Sequence, residues 1–350
     1  MIDLIFIVVL VLLFTLLFGW SFKHLPEERW QILASVPVKK VSPGVWEGVN
    51  LTYYGLLNAN AIAIAVSIFF VLTGAVRVPL SLTLATAFLV LLLCVPASRI
   101  LARLIEKKAF TSTVGGASFV GLLVAPVVLW AMNGARHMIA ADPFNPMPIL
   151  AAIAVAYAFG EGSGRLACIS FGCCYGKPLS QCGRALQAVF RHCSFVFSGE
   201  TKKIAYESGL ENQKVIPTQA ITAVICVGIG LVGTYLFLQA LFTAAFLVAI
   251  LGTQVWRIVS ETLRADWRGG GRMTAYQLMS FWGAAYAVFI ATVMPARPDP
   301  VVSVVDGLRS LLHPGTIFFL LLLWFFSFIY TGRSRVTGSQ VTVYVHPGRI

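Results

Sequence analysis

Long apolar stretches separated by short polar ones dominate the chain, and their length decides what they form. Residues 2–20, 53–73, 80–103, 114–132, 148–168, 220–238, 241–263, 276–294 and 315–330 are almost wholly apolar. Each comes close to the ~20 residues that carry a helix across a hydrocarbon core about 30 Å thick. None alternates as barrel strands do, and backbone embedded in lipid satisfies its hydrogen bonds only in helices or closed barrels. The pattern predicts an all-α integral membrane protein, a polytopic bundle of nine transmembrane helices. The first run has only Asp3 before it and ends in Gly-Trp-Ser-Phe-Lys, unlike a secretory leader, so it reads as a retained helix.

The polar connections carry their own signals. Residues 21–50 are mixed, with Trp30 and Trp46 as interfacial anchors, and read as an amphipathic loop. Residues 177–217 form a polar segment. Residues 295–300 hold three prolines and read as a loop, 301–312 as an amphipathic surface helix, and the tail after Arg333 as short β-like or disordered chain. Neither a repeat of 20–50 residues nor a pair of broken helices, the mark of an inverted-repeat transporter, is visible.

At 58% hydrophobic and 11% charged residues, the composition excludes water-soluble globular domains. The formal charge of +12, from 26 Lys and Arg against 14 Asp and Glu, fits attraction to anionic lipid or an ordinary positive-inside surplus. Nucleic-acid binding explains it less well, because so little soluble mass is present.

Candidate chemistry begins where apolarity breaks. Gly160-Glu161-Gly162-Ser163-Gly164-Arg165 closes a membrane-length run, and a charge at mid-membrane costs roughly 2.5–3.5 kcal/mol on insertion scales. Arg257, Glu261 and Arg264 stand at i, i+4 and i+7 on one helix face, and Arg99 and Arg103 repeat the four-residue spacing. Guanidinium groups at helix ends can grip a phosphate with two prongs. The alternative is snorkelling to the headgroups with one structural Arg257–Glu261 ion pair, the simpler account for Arg103 and Arg264.

Five of the seven cysteines fall between Cys168 and Cys193. Cys168, Cys173, Cys174, Cys182, His192 and Cys193 match no familiar zinc spacing, so no metal ligand or cofactor is assigned. Buried packing suits Cys168 and Cys174, and Cys182 and Cys193 could form a disulfide in an oxidising compartment.

From about Tyr53 to Gly283 these residues resemble bacterial prolipoprotein diacylglyceryl transferases. Tyr54-Gly55-Leu56, Arg99, Gly115-Gly116-Ala117-Ser118-Phe119 and Gly164-Arg165-Leu166 with Gly172 and Tyr175-Gly176-Lys177 are similar to family segments. So are Pro217-Thr218-Gln219 and Trp256-Arg257-Ile258-Val259 with Glu261. Their order and spacing carry the resemblance.

The resemblance implies a seven-helix core at 51–296 that includes the polar segment 177–217. Residues 1–50 would add a helix and loop before it, and 297–350 a loop, a helix and a polar tail after it, a partner interface being one reason for the additions. It implies a multi-pass protein of the bacterial cytoplasmic (inner) membrane that moves diacylglyceryl from phosphatidylglycerol to the cysteine thiol of a lipoprotein precursor. Catalysis would fall to Arg165, Arg257, Glu261 and Tyr54, with Glu261 holding Arg257. Substrate binding would fall to Arg99, Gly115, Gly116, Ser118, Gly172, Cys173, Gly176, Gln219 and Arg264. The implied partners are an anionic phospholipid and a lipoprotein precursor or another acceptor, with no nucleic acid.

The departures fall on proposed chemistry. Val120 stands where the family has a histidine, Ile216 where it has another, and Cys168 and Cys173 replace Asn and Glu. Ile221 and Thr222 replace an aromatic and an acidic residue, and none of His24, His137, His192, His313 and His346 falls at the matching place. A non-catalytic lipid-binding or translocating bundle, or a thiol-dependent redox or metal protein, therefore stands beside the transferase. The resemblance puts 21–50 and 177–217 outside the cytoplasm, whereas their basic residues argue the reverse by the positive-inside rule.

Overall fold

Among the described residues, nine helices are long and apolar enough to cross a membrane, as the apolar runs predict. The computed structural model describes residues 1–107, 114–138, 142–267, 273–294 and 301–350; the expected loop at 295–300 lies outside them. In chain order the elements are α1 (Ile2–His24), β1 (Ile32–Ser42), β2 (Val45–Thr52), α2 (Tyr53–Ala75), α3 (Leu80–Glu106), α4 (Val114–Met138) and α5 (Pro146–Phe171). The polar segment holds α6 (Arg184–Phe190), β3 (Phe195–Val196), α7 (Lys203–Ser208) and β4 (Lys214–Val215). There follow α8 (Thr218–Leu238), α9 (Phe242–Leu263), α10 (Ala275–Val293), α11 (Val304–Leu311), α12 (Pro314–Gly332) and β5 (Arg333–Thr342).

The spans are α1 to α5, α8, α9, α10 and α12, and α5 is the most buried of them. Its small residues explain why. A Cβ on Gly160 would sit 2.9 Å from Ala65 Cβ, and one on Gly162 2.9 Å from the Ala223 carbonyl oxygen, so α2 and α8 approach α5 closely. Between lipid-embedded helices such close packing replaces the hydrophobic drive. Asn145 caps the start of α5 by accepting from the Met147 N–H at 3.1 Å, with Pro146 in the first turn.

Two expectations change. The 21–50 stretch is not an amphipathic loop alone: β1 and β2 form an antiparallel hairpin, and the tail strand β5 joins β2 to complete a three-stranded sheet. Pro43-Gly44 makes the turn, with Gly44 at φ 77° as a Pro-Gly turn requires. This sheet ties the segment between α1 and α2 to the tail that follows α12. The expected amphipathic helix is α11, which presses Val304 and Gly307 against α2, while Asp306 pairs with Arg77 at 3.1 Å. None of the seven cysteines is in a disulfide, so Cys182 and Cys193 are not paired with each other.

The terminal helix α12 docks on α2 where two glycines meet. A Cβ on Gly55 would lie 2.1 Å from Gly332 Cα, and Trp324 Nε1 donates to Asn60 Oδ1 at 2.7 Å nearby.

Candidate functional site

Along α5, Tyr157, Glu161 and Arg165 follow at four-residue steps and share one face. That face looks into a cavity of about 570 Å³ bounded by α2, α3, α4, α5, α9 and α12. Its walls are aliphatic and aromatic, among them Ile62, Val66, Leu91, Leu122, Ile153 and Phe246. Polar side chains among the lining residues include Tyr54, Asn58, Ser118, Tyr157, Glu161, Arg165 and Gln254. An apolar volume with a few convergent polar groups is the usual form of a small-molecule site.

Glu161 is the hub. Its carboxylate, 5% exposed, accepts from the Tyr157 hydroxyl, from Arg165 and from Arg257, and Arg257 also donates to the Tyr157 oxygen at 2.6 Å. Two guanidinium groups thus share one carboxylate. The Nε of Arg165 and the Nε of Arg257 are both buried without a hydrogen-bond partner.

The expected ion pair of Arg257 with Glu261 is not formed. Packing α5 against α9 brings Glu161 to Arg257, whereas Glu261 lies 3.8 Å from Arg264. Arg264 in turn forks onto Asp266 at 2.8 and 2.6 Å.

Of the other expected site residues, Tyr54 and Ser118 line the cavity, and the Tyr54 ring meets Phe171 edge-on. Gly115 and Gly116 are buried in the first turn of α4, and Ser118 donates to the Gly115 carbonyl at 2.9 Å. Arg99 stacks over Tyr330 of α12, 3.7 Å from the ring centre.

Gly172, Cys173, Gly176 and Gln219 build the junction between α5 and the polar segment instead of the cavity wall. Gly172 ends α5 at φ 73°, and Gln219 Nε2 donates to the Cys173 carbonyl at 2.8 Å. A Cβ on Gly176 would meet the Ile216 carbonyl oxygen at 2.4 Å. The sulfurs of Cys168, Cys173 and Cys174 lie within 4.8 Å of one another, close enough to share a metal ion.

Sequence reasoning did not single out Tyr157, Asn58 or Gln254, and it named Glu161 in the Gly160–Arg165 stretch without giving it a role. The signal for Tyr157 and Glu161 was there: a tyrosine, a carboxylate and an arginine on one stripe of an apolar helix. No histidine is among the residues lining the cavity, and Val120 does not line it either.

The polar segment locks to the bundle through Lys202, fully buried, whose Nζ donates to the carbonyls of Ser170 at 2.7 Å and Leu25 at 3.1 Å. Burial pulls its pKa down to about 7 against the opposing pull of Glu28 and Glu27.

The sequence pattern of prolipoprotein diacylglyceryl transferases matches residues 44–294. The chain belongs to this family. No curated protein matches it. The match runs from the hairpin turn to the end of α10, so most of the family core is the bundle that surrounds Glu161. Helices α1, α11 and α12 and strand β5 lie outside it. In this family member, Phe326, Ser327, Tyr330 and Thr331 of α12 nonetheless complete the cavity wall.

Proposed function

We propose that this multi-pass membrane protein is a transferase of bacterial cytoplasmic membranes that takes phosphatidylglycerol into the cavity and moves its diacylglyceryl group to the thiol of a lipoprotein precursor or a comparable acceptor. The observation that carries this reading is Arg165. It lines a largely apolar cavity, held by Glu161, with a buried Nε that no protein group uses. The apolar walls suit acyl chains, and a guanidinium group suits a phosphate.

The chemistry follows from charge. The acceptor sulfur, its thiol proton lost to water, attacks the glyceryl carbon, the carbon–oxygen bond to phosphate breaks, and glycerol phosphate leaves with the electron pair. Arg165, with Arg257 behind it, stabilises the charge that gathers on the leaving phosphate, while Glu161 fixes both cations in place. Two arginines against one carboxylate leave this trio one positive charge in excess, and an anionic headgroup offsets it. Tyr54 and Ser118 line the same space and are assigned to the headgroup.

A second reading, anionic-lipid binding without transfer, is favoured by Val120 and by a cavity lining that contains no histidine. Incubating the purified protein with labelled phosphatidylglycerol and a precursor peptide, followed by mass spectrometry, separates the two. Thioether-linked diacylglyceryl peptide supports the transferase. Labelled lipid held by the protein with no product formed supports binding alone.

A further inference from the structure

The exit of α5 gathers three thiols close to the arginine cluster. Cys168 lies in the last turn of α5, Cys173 and Cys174 follow its end, and the three sulfurs lie within 4.8 Å of one another. The chain turns back on itself here through two left-handed residues, Gly172 at φ 73° and Cys174 at φ 58°. Glycine takes that conformation freely, whereas for cysteine it costs about 1–3 kcal/mol and persists only when neighbours impose it. The neighbours are visible: the Cys173 N–H donates to the Cys168 carbonyl at 3.0 Å, and the Cys173 carbonyl accepts from Gln219 at 2.8 Å. Cys168 also forms part of the cavity wall beside Arg165.

We propose that Cys168, Cys173 and Cys174 bind a zinc ion through three thiolates, leaving its fourth position open toward the lipid cavity. Zinc–sulfur bonds of about 2.3 Å place tetrahedral sulfurs roughly 3.8 Å apart, so the cluster needs to contract by no more than about an ångström. Three protein ligands with one open position are the arrangement of reactive zinc sites, whereas structural sites use four. Three soft sulfur ligands exclude magnesium and calcium, which take oxygen. Three thiolates and a divalent ion carry one net negative charge. Arg165 stands three residues before Cys168 on α5, Arg264 at the end of α9 pairs its backbone with Gly176, and Lys203 starts α7, whose Ile204 N–H donates to the Gly172 carbonyl at 3.0 Å, so three cations lie around the cluster. Gln219, whose Oε1 is buried without a partner, fixes the backbone from α8.

Resting on the transferase reading, the open position takes the acceptor thiol. A thiol that coordinates zinc is deprotonated outright and its proton passes to water, so the nucleophile forms beside Arg165 although Val120 offers no base.

Cobalt(II) titration of the full chain in detergent with reductant tests the site without reading activity. The expected result is thiolate-to-cobalt charge-transfer absorption with tetrahedral visible bands, saturating at one ion per chain and displaced by zinc. Because second-shell losses alone weaken metal sites roughly 10–100-fold, Cys168→Ser, Cys173→Ser and Cys174→Ser should each cost at least about tenfold in affinity. Cys94→Ser and Cys182→Ser should leave it unchanged. Absence of the thiolate band from the native chain overturns the proposal whatever the variants do, as does a thiol count showing the three sulfurs oxidised after purification under reductant. A cysteine-containing precursor peptide should shift the visible bands and its serine counterpart should not. Bands that ignore the peptide remove the acceptor role and leave the metal site, and because no transfer is read, failure of the transferase reading shows separately.

Discussion

Glu161 of α5 and Arg257 of α9, 96 residues apart, pair inside the bundle, and the same carboxylate also takes Arg165 one turn further along α5. One buried anion therefore organises two cations and, through them, two helices. Removing one partner of a buried pair typically costs about 3–5 kcal/mol, because a charge is left uncompensated. Glu161→Gln should lower the detergent-solubilised protein's unfolding temperature markedly, read by the fraction that stays monodisperse after heating. Ser163→Ala, which removes a hydroxyl bonded only within the helix to the Phe159 carbonyl, should leave that temperature nearly unchanged.

The crossing of α2 and α12 predicts an effect of a single methyl group. At Gly55 even alanine would bring Cβ to 2.1 Å from Gly332 Cα, so the helices must move apart. Overpacking of this kind costs about 1–3 kcal/mol, and Gly55→Ala should show it as a lower unfolding temperature. Gly134→Ala in α4, where a Cβ meets nothing within 4 Å, is the control and should be neutral or slightly stabilising.

Lys202 makes the polar segment sensitive to pH. Its folded pKa of about 7 lies below the ordinary 10.5, so between those values the unfolded chain holds a proton that the folded chain does not. Stability then rises with pH across that window, and the full penalty is present below about 7. Limited proteolysis of the 172–217 segment should slow as pH rises from 7 to 9. Lys202→Met leaves the Leu25 and Ser170 carbonyls without their donor, so it should speed cleavage and flatten the pH dependence.

The spans were legible in the sequence because run length alone decides them, and Arg165 and Arg257 stood out because charge in an apolar run is costly. The partner of Arg257 was not legible. Spacing on one helix pointed to Glu261, but the packing of α5 on α9 decided for Glu161, and no local pattern encodes that packing. The sheet was half legible: Pro43-Gly44 marks a turn, yet β5 lies nearly three hundred residues beyond β2, and pairing at such separation leaves no local trace. The thiols stood out as a cluster, with a metal or redox role among the alternatives, but which three converge was not legible: their spacing fits no zinc pattern, and the two left-handed residues that fold them together are visible only in three dimensions.

The most direct test of the central claim is the headgroup selectivity of lipid binding, measured by native mass spectrometry with phosphatidylglycerol and phosphatidylcholine in competition. If Arg165 grips the phosphate of an anionic lipid, the native protein should retain phosphatidylglycerol preferentially, and Arg165→Ala should lose that preference while keeping its fold. Equal retention of both lipids by the native protein, or an unchanged preference in Arg165→Ala, would contradict the assignment of the cavity to an anionic phospholipid.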